Sequence, residues 1–209
     1  MSGTAQQSEI VGVGLYAEFL AGLIRQAPRD ISREQVRRWL DDQSSLQRVL
    51  RSALMPSEVT DEDFFTITDD GQKKTSELIK DLRDLGVKVD VYREEHLDTD
   101  FPAPKKATTR RFKKTVEADP ELAGKSADDC DDLGIPGITL RERLIMERMY
   151  FQETGKHLDP EAWTICSGSR CPDGNVPCVC WDPGGRRLLV GWHNPGYRHS
   201  GGRVRSAQP

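Results

Sequence analysis

Val176-Pro-Cys-Val-Cys-Trp-Asp182-Pro-Gly-Gly185-Arg-Arg-Leu-Leu-Val-Gly-Trp192 decides how the end of this chain folds. Two runs rich in β-branched and aromatic residues flank Asp182-Pro-Gly-Gly185, whose proline and glycines suit a tight reversal, so the stretch reads as a β-hairpin. A loop of these four residues pairs Trp181 with Arg186 and sets Val179 opposite Leu188. Alternation then places Val179, Trp181, Leu188, Val190 and Trp192 on one face, the expected core. Cys178, Cys180, Arg187, Leu189 and His193 take the other. A strand around Trp163 to Cys166, joined through the turn-forming Pro172-Asp-Gly-Asn175, completes a three-stranded antiparallel meander.

The cover for this meander lies just upstream. Thr139-Leu-Arg-Glu142 is a capping box, in which the threonine hydroxyl accepts from the third amide and the glutamate reaches back to the first. The helix it opens runs to about Thr154, with Gly155 as its stop. Leu140, Leu144, Ile145, Met146, Met149, Tyr150 and Phe151 cover most of its circumference, which predicts contacts beyond its own sheet. Residues 135–209 are thus read as a C-terminal domain of helix plus meander.

Further upstream, 1–58 reads as a helical module. Its first helix spans Ile10 to Arg25, Ser32 caps a second, and Leu46, Val49, Leu50, Ala53 and Leu54 stripe a third. Residues 59–100 read as a small α/β segment: a strand from Phe64 to Thr68, a helix carrying Leu78, Ile79, Leu82 and Leu85, and a strand alternating at Val87, Val89 and Val91. Strand, helix, strand suggests a parallel crossover, but two strands need further partners. Residues 101–134 read as a charged linker, with six basic residues and no acid from Phe101 to Lys114, then seven acids against Lys125 from Glu117 to Asp132. The expected class is α+β: helical N-terminal module, strand-helix-strand middle, C-terminal helix on a meander.

Bulk properties constrain function without naming it. In 209 residues, 36% are hydrophobic and 31% charged, which points to modest cores in several small modules. A net charge of −4 and a pI near 5.7 argue against affinity of the whole molecule for nucleic acid or anionic lipid. Ile10 to Ile24, the most apolar stretch, contains Glu18 and is too short to span a bilayer; no basic residue precedes it, as a signal peptide would require. A soluble, cytoplasmic protein is expected, with its five cysteines mainly as thiols.

Chemical motifs are sparse. Cys166, Cys171, Cys178 and Cys180 invite zinc, but their spacing lacks the usual C-x₂-C knuckles, so no metal is assigned and they stand only as weak candidates. Arg187, expected opposite Cys180, would favour its thiolate. Gly12-Val-Gly14-Leu-Tyr-Ala17 matches the letters of a dinucleotide fingerprint without the preceding strand. Gly71-Gln-Lys-Lys-Thr75 could hold a phosphate at a helix start, though a solvated start is the simpler expectation. No hydrolase motif is present, and no catalytic residue or cofactor is expected.

The acid-free tail 183–209 sets arginines beside aromatic residues. Arg170, Arg187, His193, Tyr197, Arg198, Arg203 and Arg205 are therefore the candidate binding residues. They suit phosphate contacts and base stacking, or equally pairing with the acidic segment 117–132. A non-enzymatic binding or adaptor protein with a protein partner is the leading expectation. Nucleic-acid binding through this tail is the alternative, and a zinc-supported small domain the third.

At Ile138-Thr-Leu-Arg-Glu142, Tyr150-Phe-Gln-Glu-Thr-Gly-Lys-His-Leu-Asp159, and Cys166-Ser-Gly-Ser-Arg170 through Asp173-Gly-Asn-Val-Pro177, the chain resembles a group of uncharacterised bacterial proteins from candidate-phyla lineages. The resemblance implies the start of the C-terminal domain and no activity, cofactor or catalytic residue. It also implies that positions 171, 178 and 180 need not be cysteine.

Overall fold

The computed structural model describes residues 61–208 and scattered positions between Glu18 and Asp41. The chain divides into two units, Met1–Val59 and Thr60–Pro209, and the second is described here. The expected helical module and the Gly12–Ala17 fingerprint lie largely outside the described residues.

The second unit is α+β. Its elements in order are β1 (Phe64–Asp69), α1 (Thr75–Asp84), β2 (Val89–Val91), α2 (Leu97–Asp100), β3 (Thr108–Lys113), α3 (Ala127–Asp132), α4 (Leu140–Thr154), β4 (Trp163–Ile165), β5 (Val176–Asp182), β6 (Arg187–His193), β7 (Gly202–Val204) and β8 (Ala207–Gln208). They form a three-stranded sheet, β1-β3-β8, and a five-stranded sheet, β2-β6-β5-β4-β7. No helix among the described residues is long and apolar enough to cross a membrane.

The meander β4-β5-β6 forms as expected, antiparallel throughout, but with two added parallel edges: β2 beside β6 and β7 beside β4. Its hairpin register differs from expectation by two residues. Val179 pairs with Val190 and Trp181 with Leu188. Asp182 causes the shift by remaining in β5 opposite Arg187, where its carboxylate accepts from Gly185 N at 3.0 Å and Arg187 Nε at 3.2 Å. The loop becomes Pro183 to Arg186, with Arg186 at φ 50°. A slip of two preserves the faces. Val179, Leu188 and Val190 are buried, and Trp181 and Trp192 pack against the same core.

Two expectations for the middle of the chain are corrected. β1 and β2 do not form a parallel crossover, because each joins a different sheet: β1 pairs antiparallel with β3, and β2 pairs parallel with β6. Alternating valines mark a strand but say nothing of its partner. Residues 101–134, expected as a linker, contain β3 at the centre of the first sheet, and α3. Phe112 is its fully buried apolar anchor. The cations around it bury their stems and keep their charges paired or over rings. Arg110 and Arg111 lie 5.4 and 5.0 Å from the rings of Phe112 and Phe64, and Lys113 pairs with Glu121.

Helix α4 joins the two sheets through contacts with β1, α1 and β5. Its capping box forms as read, with Thr139 Oγ1 accepting from Glu142 N at 3.2 Å and Glu142 accepting from Thr139 N at 2.8 Å. Gly155 terminates it at φ 67°, a conformation open to glycine without cost. Every residue from Leu140 to Glu147 is buried, four of them charged.

Because Phe112 fills the central strand of the first sheet, Phe112→Ala should cost about 3–5 kcal/mol of stability. Urea unfolding monitored by circular dichroism measures the loss.

Candidate functional site

Four charged side chains are sealed inside the domain. Arg143 and Glu147 lie one turn apart on α4 and pair at 2.8 Å, with neither side chain exposed. Asp159, in the loop after α4, takes Arg143 Nη2 on one oxygen at 2.9 Å and Arg205 Nη2 on the other at 2.7 Å. It also accepts from Thr164 Oγ1 at 2.5 Å and from the amide of Ala118 at 2.9 Å. Two cations thus meet two anions, and the cluster carries no net charge. Burial alone would raise the Asp159 carboxyl, but Arg205, Arg143 and the Thr164 hydroxyl outweigh it and hold the group below the usual carboxylate range. Asp159 adopts φ 56°, a left-handed conformation that Asp tolerates better than most residues.

The head of α4 opens into a cleft of about 420 Å³. Its lining includes the apolar Phe101, Pro102 and Pro104 together with the polar Asp100, Arg110, Ser169 and Arg170. Arg141, almost fully buried, forms its base. It donates to both oxygens of Asp69, at 2.6 and 2.7 Å, and to Thr75 Oγ1 and Lys73 O, each at 2.9 Å. Arg110 grips Glu142 with Nε, at 2.7 Å, and with Nη2. Its Nη1 has no partner among the described residues. Arg170 caps the carbonyls of Ser167 and Ser169 at 2.7 and 2.9 Å and pairs with Asp131. The stretches Ile138–Glu142 and Cys166–Arg170 therefore both contribute to one cleft.

The candidate residues of the tail do not converge. Arg170 stands at the cleft. Arg187 bridges Asp90 at 2.5 Å and Asp182 at 3.2 Å. Arg198 pairs with Asp129 at 2.6 Å, and its guanidinium holds that carboxyl below the usual range. Arg205 is buried on Asp159. His193 and Tyr197 do come together, at 5.6 Å between ring centroids, and continue through His199 to Trp163 at 6.1 and 4.6 Å. Arg203 lies on β7, which pairs with the strand of Trp163.

The cysteines are dispersed. Among the described residues no three His, Cys, Asp or Glu side chains are grouped to hold a metal ion. Burial pushes the thiols up, Cys171 to about 11 and Cys178 to about 12, and Cys166 and Cys180 also upward. Cys180 pairs with Leu189 rather than facing Arg187, a consequence of the two-residue register difference. The phosphate-loop expectation at Gly71–Thr75 is resolved by the protein's own carboxylates: Asp98 takes Ser76 N at 2.8 Å and Glu77 takes Lys74 N at 2.6 Å.

Arg110, Arg141, Arg143, Glu147 and Asp159 were not singled out by sequence. Arg110 lay in a stretch read as linker, Asp159 in a loop, and the α4 residues among the apolar positions that cover most of the helix; only Thr139 and Glu142 gave a signal, through the capping box.

Asp159→Asn keeps the shape but removes one charge, leaving two buried guanidiniums with Glu147 alone; the expected cost is about 3–5 kcal/mol. The wild-type contribution is present above the unfolded-state carboxyl value of about 3.9 and is lost as pH falls through the lower folded value. Thermal melts between neutral pH and about pH 2 should show a larger acid-dependent loss in the wild type than in the variant, which keeps only the part due to other carboxylates such as Asp129.

No family model, curated protein or solved structure matches the chain, and the geometry of the cleft and the sealed ionic cluster carries the functional reading alone.

Proposed function

We propose that the second unit is a non-enzymatic binding module whose cleft at the head of α4 receives a segment of a protein partner. The carrying observation is the mixed lining of the cleft. Phe101, Pro102 and Pro104 supply apolar surface, and Arg110 lines the same cleft with Nη1 without a partner among the described residues, held in place by the carboxylate of Glu142. A partner side chain covers the apolar surface and a carboxylate or carbonyl oxygen meets the guanidinium, the combination that gives small sites affinity and orientation together. Because Arg110 and Arg141 are already fixed by Glu142 and Asp69, little side-chain freedom is lost on binding.

A second reading rests on one feature, the ring ladder His193-Tyr197-His199-Trp163, which suits stacked bases. Its electrostatics favour it less: Arg170, Arg187, Arg198 and Arg205 are each committed to a carboxylate and have little charge left for phosphates.

Peptides selected from a random library on the full chain test the proposal. Thr108→Trp, which fills the cleft from the exposed start of β3, should weaken the selected peptides at least about tenfold, or about 1.4 kcal/mol, by calorimetry. Tyr197→Ala should leave them unchanged. Undiminished binding to Thr108→Trp overturns the cleft. Retention on single-stranded DNA that collapses between about 50 and 200 mM salt and is lost in Tyr197→Ala establishes the second reading instead.

A further inference from the structure

At the other end of α4, two recesses of about 400 and 410 Å³ share a wall made by His157 and Trp181. They have no lining residue in common with the cleft at the head of the helix. The wall is rigid. The imidazole of His157 lies against the Trp181 indole at 3.4 Å between centroids and 9° between planes, with Phe151 stacked on it at 4.8 Å and 22°. Its Nδ1 meets Glu147 Oε1 at 2.8 Å. Glu147 is sealed and paired with Arg143, so it is the carboxylate that accepts and Nδ1 that donates. Nε2 is without a partner among the described residues.

The two recesses differ in character. Tyr150, Pro160, Pro183 and Val116 make the first predominantly apolar, with Lys156 at its rim. The second carries Lys88 and Arg186 beside Phe151. Lys88, Lys156 and Arg186 are exposed, and none forms an ion pair among the described residues. No acidic residue lines either recess. This sets them apart from a domain in which most arginines are neutralised by a carboxylate. Arg186 has a further peculiarity: it occupies the left-handed region at φ 50°, where a glycine would be unstrained, at the tip of the hairpin. Such a conformation in a non-glycine residue is retained where something other than backbone preference is served.

We propose that the second recess, against the His157–Trp181 wall, is a binding site for a small organic anion bearing a flat ring, the ring seated against Val87, Phe151 and Trp181 and the anionic group held by Lys88 and Arg186. Flat rings gain most from apolar walls of aromatic side chains, and neither cation is engaged in an ion pair among the described residues. The selectivity expected is for both properties in one molecule, because neither a ring nor an anion alone makes the full contact.

Calorimetry on the full chain with phenyl phosphate, inorganic phosphate and benzyl alcohol tests the site. Phenyl phosphate should bind saturably with one site, at least about tenfold more tightly than either of the others. Arg186→Gly with Lys88→Gln should reduce that affinity at least about tenfold, while the glycine, relieving the left-handed arginine, keeps the thermal midpoint at or above that of the wild type. Lys105→Gln, an exposed cation outside both recesses, should change nothing. Absence of saturable phenyl phosphate binding overturns the proposal. So does equal binding of inorganic phosphate, which denotes an anion patch only, equal binding of benzyl alcohol, which denotes an apolar recess only, or full affinity in the double variant.

Discussion

The carboxylate of Asp159 ties together parts of the chain that lie far apart in sequence. One oxygen holds Arg143 of α4 and Thr164 of β4; the other holds Arg205, which follows β7, and the amide of Ala118. Arg205 in turn donates to the carbonyls of Thr115 and Val116, at 3.0 and 2.6 Å, just beyond β3. Elements from both sheets therefore close on one buried charge. An apolar cluster of the same volume could be as stable or more so, since desolvating two ion pairs cancels much of their attraction. What the ions supply is geometry: each guanidinium has a fixed fork, so α4, β4 and the C-terminal segment can meet in few ways.

The surface follows a milder version of the same logic. The opposed charge blocks of 101–134 pair with each other and with the tail, Lys113 to Glu121, Arg198 to Asp129 and Arg170 to Asp131. Exposed pairs of this kind add little stability individually. Their effect is to neutralise the acidic segment locally, leaving unpaired positive charge at a few places such as the rim around Trp181.

The hairpin, its inward face and the capping box of α4 were legible because each depends on neighbours in sequence: two-residue alternation, a Pro-Gly-Gly turn, a threonine three residues before a glutamate. Register was not, because it turned on whether Asp182 would close the loop or extend the strand, a choice settled by its contacts to Gly185 and Arg187. Long-range partners were least legible. Nothing in Val87-Lys-Val-Asp-Val91 announces β6 as its neighbour, and the basic run 105–114 hides β3 because its single buried side chain, Phe112, is outnumbered by cations whose charges end on distant acids. The site residues were missed for the same reason. A buried Arg141 or Arg143 differs from a solvated one only in the position of Asp69 and Asp159 in space.

Helix α4 carries the larger concavities at both its ends. Fifteen residues give a rod of about 22 Å, whose first two turns are enclosed on all sides and whose last turn carries Tyr150 and Phe151 to the His157 wall. Between them stands Glu147, with one oxygen on His157 and the other on Arg143. The imidazole at the tail is therefore fixed by the same sealed network that fixes the helix, and it cannot turn without unpairing a buried carboxylate. Both concave regions thus have one wall on the most constrained element of the domain, to which loop residues such as Phe101 and Arg170 at one end and Lys88 and Arg186 at the other are added.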